Sequence, residues 1–77
     1  MRKFYTGEEI RKKYHFMLYS IEDEPLLYFE NYDELRKHVN LKSKNIACRC
    51  NKMRTNKITI VLNQKMYRLY VFDDEGR

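Results

Sequence analysis

The last third of the chain, Lys57 to Phe72, holds two runs, KITIVL and MYRLYVF, separated only by Asn63-Gln64-Lys65. Apolar residues recur at every second position, the period of a half-buried strand, and so short a link predicts a β-hairpin. Alternation puts Tyr67, Leu69 and Val71 on one face and Arg68, Tyr70 and Phe72 on the other. An isolated two-stranded hairpin is only marginally stable in water, so the rest of the chain must supply a cover for one face. With 77 residues there is room for a single domain and a small core.

A second pair of runs, HFMLYSI and LLYFE, flanks Glu22-Asp23-Glu24-Pro25 and reads as another hairpin over about residues 15–29, against about 57–72 for the first. Helical signals fill the remainder. Thr6-Gly7-Glu8-Glu9 fits a capping box that opens a helix from Gly7 to about Tyr14, with Ile10 and Tyr14 on one face. Asn31, with Glu34 three residues later, caps a second helix that buries Tyr32, Leu35 and Val39 and stops in a left-handed Asn40. Ser43 caps a third, Lys44 to about Met53, with Ile46, Cys50 and Met53 inward. The tail DDEGR is expected to be loose. The fold class expected is α+β: a single domain over residues 1–77 with an N-terminal helix, a β-hairpin, a helix-turn-helix pair over about 31–53 and a C-terminal β-hairpin, winged-helix-like. One face of the final strand must be core; the other, bearing Arg68, Tyr70 and Phe72, is a stacking platform, a dimer interface or, as the leading expectation, cover for the N-terminal helix.

Charge is unevenly distributed along this order. From Leu35 to Phe72 there is no Asp or Glu, yet that segment holds ten of the sixteen Lys and Arg residues. A field of one sign concentrates phosphate and gains free energy from counterion release, so a polyanion is the expected partner. At 100° per residue, Lys44, Asn45, Cys48, Asn51 and Lys52 fall opposite Ile46 and Cys50, with Arg49 at the margin. Lysine and arginine suit phosphates and guanine edges, and asparagine can pair with adenine. Lys42, Arg54, Lys57 and Lys65 are the further candidates for phosphate contact.

The same residues exclude other chemistry. Cys48 and Cys50 point about 160° apart on a helix, too far to share an ion or a disulfide, so neither a metal nor a cofactor is expected. The acids Glu22 to Glu24 sit in a turn, no glycine loop cradles phosphate, and no catalytic constellation is expected. No apolar run is long enough to cross a bilayer, and Met1 to Tyr14 lacks a secretory centre. The expected location is cytoplasmic, with reduced thiols.

The phrase F-x-N-x-x-E-L-x-x-x-x-x-L at Phe29 to Leu41, with YRLYVFDDE at Tyr67 to Glu75, resembles small proteins encoded by phages and other mobile elements of Gram-positive bacteria. The resemblance implies a helix-turn-helix core with a hairpin wing, working inside a bacterial host cell. Arg36 departs from that pattern, standing where a small residue usually lets the two helices approach. DNA is the leading partner. A host protein bound by the basic face, or single-stranded nucleic acid or RNA stacked on the tyrosine-bearing sheet, stays open, as does a homodimer.

Overall fold

The computed structural model describes residues 4–74. The end of the expected loose tail, residues 75–77, lies outside them. The elements run α1 (Gly7–Lys12), β1 (His15–Ser20), β2 (Pro25–Phe29), α2 (Tyr32–Arg36), α3 (Ser43–Met53), β3 (Lys57–Leu62) and β4 (Lys65–Phe72). It is a small α+β domain. The two hairpins join through β1 and β4 into one four-stranded antiparallel sheet of order β2-β1-β4-β3. The helices cover a single face of it.

The alternation of each strand decides which face that is. Phe16, Leu18, Ile58, Ile60, Leu69 and Val71 are buried with Ile10, Leu35, Val39 and Ile46 from the helical side, while their strand neighbours point the other way. The turns are specified locally. Ser20 Oγ accepts from the amides of Glu22 (3.2 Å) and Glu24 (3.1 Å), with Asp23 in the left-handed region. Asn63 and Gln64 both have positive φ, the type I′ geometry that matches strand twist, so the second turn has two residues and Lys65 begins β4.

The helical pair differs most from expectation. Bonds from the His38 and Val39 amides to the Leu35 carbonyl tighten the end of α2, which is only five residues long. Asn40 is not left-handed; the connection to α3 runs through residues 37–42, with the Tyr32 hydroxyl donating to the Leu41 carbonyl at 2.5 Å. Ser43 is the first residue of α3 rather than its side-chain cap, and its Oγ accepts from Arg11 at 3.1 Å. The chief neighbour of α3 is α1, not α2. Close approach favours the choice: a Cβ on Gly7 would stand 3.3 Å from the Lys44 Cα, so glycine lets the two helix starts meet this tightly without the Lys44 backbone giving way.

Thr6 caps α1 as expected, its Oγ accepting from the Glu9 amide at 3.1 Å, but Glu9 Oε1 is buried, has no hydrogen-bond partner among the described residues and does not close the reciprocal bond. Because α1 lies with α3, it does not cover Arg68, Tyr70 and Phe72. Among the described residues no helix covers that face of the sheet.

Candidate nucleic-acid interface

The third helix owes its exposure to its position at the edge of the helical layer. Ile46, Ala47 and Cys50 are buried, whereas Lys44, Asn45, Cys48, Arg49 and Lys52 are exposed in one continuous stripe. Cys50 therefore points inward and Cys48 outward. Met53, expected in the core, is 68% exposed, because the chain leaves the helix there: Arg54 is left-handed, with Thr55 and Arg54 amides bonded to the Cys50 and Asn51 carbonyls.

A groove lies on each side of this stripe. One, a shallow and open depression of about 550 Å3, lies between α3 and the N-terminal segment and is lined by Phe4, Tyr5, Gly7, Lys44, Ala47 and Lys52 among others. The other, of about 330 Å3, separates α3 from β3 and is lined by Arg49, Lys52, Met53 and Lys57 among others. The stripe is thus a ridge. No carboxylate stands on α3, and its N-cap residue Lys42 makes no side-chain cap bond, its carbonyl accepting from the Asn45 and Ile46 amides. The helix dipole adds positive potential at that end.

Two candidates have other occupations. Asn51 is not on the reading face: its Oδ1 accepts from the Tyr5 amide and its Nδ2 donates to the Tyr5 carbonyl, both at 2.8 Å, so it fastens the N-terminal segment to α3. Arg49 remains exposed while one guanidinium nitrogen donates to the Thr59 carbonyl of β3, which orients its fork along the second groove. Asn45 and Lys52 make no such bond among the described residues. Lys42 and Arg54 flank the two ends of α3.

The last two candidates are on the hairpin. Lys65 pairs with Leu62 at the turn, and since Leu62 packs against the core, the register sets Lys65 on the helix-covered side. Lys57 begins the edge strand β3, where it lines the second groove while its ammonium lies 5.4 Å from the Tyr70 ring centroid on the opposite face. The structure therefore gathers Lys42, Lys44, Asn45, Arg49, Lys52 and Arg54 along one helix with Lys57 across the second groove, and turns the Asn51 amide of the same helix to the Tyr5 main chain. Sequence reasoning missed Phe4, which is 75% exposed beside the first groove, because nothing local to it signals a contact with a helix some forty residues away.

Searches of protein-family models, curated proteins and solved structures returned no match. Among the described residues no group of His, Cys, Asp and Glu is arranged to hold a metal, and no helix is long and apolar enough to cross a membrane.

Proposed function

We propose that the chain binds nucleic acid, and duplex DNA in particular, by laying the α3 ridge into a major groove. The observation that carries this reading is the uninterrupted exposed stripe from Lys44 to Lys52, free of carboxylates and bounded by a depression on each side. A helix with its side chains is about 10–12 Å across, and the major groove is about 12 Å wide. The flanking depressions leave room for the two phosphate backbones. Asn45, Lys44, Arg49 and Lys52 meet base edges or phosphates, and Lys42 and Arg54 neutralise phosphates at the two ends of the helix. In the winged-helix-like form of the proposal, the tip of the β3–β4 hairpin reaches the backbone through Lys65.

Six cations at a polyanion give affinity that falls steeply with salt, the logarithmic slope being about −0.9 per phosphate neutralised. Replacing Lys44, Arg49 and Lys52 together by Ala should lower duplex affinity by two orders of magnitude or more and flatten the salt slope by about three phosphates' worth. Fluorescence anisotropy with a labelled duplex, titrated at several salt concentrations, measures both. Unchanged affinity in the triple variant removes α3 from the reading role.

A further inference from the structure

The side of the sheet turned away from the helices is unusual for so small a protein. Its outward residues form rows across the strands: Tyr28, Met17, Tyr70 and Lys57 in one, and Tyr19, Arg68 and Thr59 in the next. His15 and Phe72 make a third. The rings touch one another, with Tyr19 edge-on to Tyr70 (6.1 Å between centroids) and Tyr28 against Phe72 (6.3 Å). Val61 and Met66, 64% and 56% exposed, extend the apolar area toward the β3–β4 turn. A contiguous apolar face of this kind marks an interaction surface.

Charge decides what covers it. Cations occupy the half of the face formed by β4 and β3, where Arg68 and Lys57 stand. Acids dominate the other half: Glu30 stands just past β2, two residues after Tyr28, and Asp23, 3.6 Å from Arg68, belongs to the acidic turn between β1 and β2, while His15 on β1 is already paired with Asp74. A polyanion would be repelled over half of this surface. A second copy of the same surface is not, provided it is turned so that unlike halves meet. We propose that the open face is the interface of a homodimer, in which two sheets pack face to face about a two-fold axis running along the strands.

That axis lies between β1 and β4 and sets β1 of one copy over β4 of the other, and β2 over β3. The rows then meet in unlike pairs: Met17 against the partner's Tyr70, Tyr19 against the partner's Arg68, and Tyr28 and Glu30 against the partner's Lys57. An axis across the strands would instead lay β3 on β3 and Lys57 on its own copy. Arg68, whose side chain is 39% exposed beside Asp23, in the first arrangement meets the partner's Tyr19 rather than a like charge. Four strands about 4.8 Å apart and about 20 Å long present roughly 400 Å2 of plane per copy. That is below the roughly 600 Å2 per partner at the low end of stable interfaces, so the dimer is a weak, reversible one.

Sedimentation equilibrium without nucleic acid, from about 1 μM to 1 mM, tests this. The expected result is a monomer–dimer equilibrium in that range, unchanged by the Lys44, Arg49 and Lys52 triple replacement, so that failure of the dimer and failure of DNA binding are read separately. Tyr70→Lys should weaken association at least tenfold while circular dichroism stays that of the parent. Lys57→Glu should also weaken it tenfold, and adding Glu30→Lys should restore it. A chain that is monomeric at 1 mM overturns the proposal. A dimer indifferent to Lys57→Glu overturns the axis. Quenching of tyrosine fluorescence by a short single-stranded oligonucleotide, abolished by Tyr70→Lys, would assign the face to base stacking and overturn it as well.

Discussion

His15 shows how one side chain can fix the rim of a sheet. Its Nδ1 lies 2.6 Å from the Glu30 carbonyl and its Nε2 2.5 Å from Asp74, both of which only accept hydrogen bonds, so both ring nitrogens must carry protons. The Asp74 carboxylate, and after it the Glu30 carbonyl, hold the imidazole pKa above its ordinary value of 6.5. A pKa raised in the folded state stabilises the fold fully below the unfolded value, and that contribution is lost as pH rises through the folded one. Melting temperature should therefore fall modestly between pH 6.5 and the raised pKa, as the neutral ring gives up its bond to Asp74. Asp74 is largely exposed, so solvent keeps the effect small. An imidazole titration followed by NMR should place His15 above 6.5, and Asp74→Asn should bring it back down. A parent value at or below 6.5 would show that the doubly protonated ring is not the form present.

At the scale of elements, the strands were legible because each carries its own instruction. Alternation in Phe16 to Leu18 or Ile58 to Ile60 assigns faces without reference to anything distant. The exposed stripe of α3 was legible for the same reason, since the period of one helix divides Cys48 from Cys50. Which helix packs beside α3 was not legible. That choice depends on Gly7 admitting the Lys44 backbone and on Asn51 receiving the Tyr5 main chain, contacts between segments far apart in sequence. Asn51 looked like a base-reading residue because its angle on the helix is right; its partner lies 46 residues earlier. Asn51→Ala should accordingly destabilise the fold by about 1–2 kcal/mol, as two part-buried backbone groups lose their bonds. Urea unfolding measures that loss, and duplex affinity of the folded variant should stay within about twofold of the parent, since lost base contact would cost a tenfold step or more. Weakened binding with unaltered stability would return Asn51 to the reading face.

The whole molecule has two sides with different physics: a helical side that concentrates positive charge on α3 and a sheet side that concentrates rings. Salt separates them. Binding through phosphates weakens steeply as counterions are added, whereas association through a face of rings joined by a few ion pairs weakens far less at moderate salt. Packing the sheets together buries both ring-bearing faces and leaves the helical layers outermost, so the two α3 ridges of a dimer point away from each other. Two adjacent half-sites on one duplex need both reading helices on the same side, about 34 Å apart. The arrangement proposed here serves a different geometry, in which one dimer holds two separate duplex segments. Short duplexes labelled with a donor and an acceptor should therefore show energy transfer once the protein exceeds its dimerisation constant. The signal should vanish in Tyr70→Lys although each duplex still binds, and in the Lys44, Arg49 and Lys52 variant although the protein still dimerises. Transfer that persists in the monomeric variant would mean that a single chain bridges duplexes by itself, and the two-sided division of labour would fall.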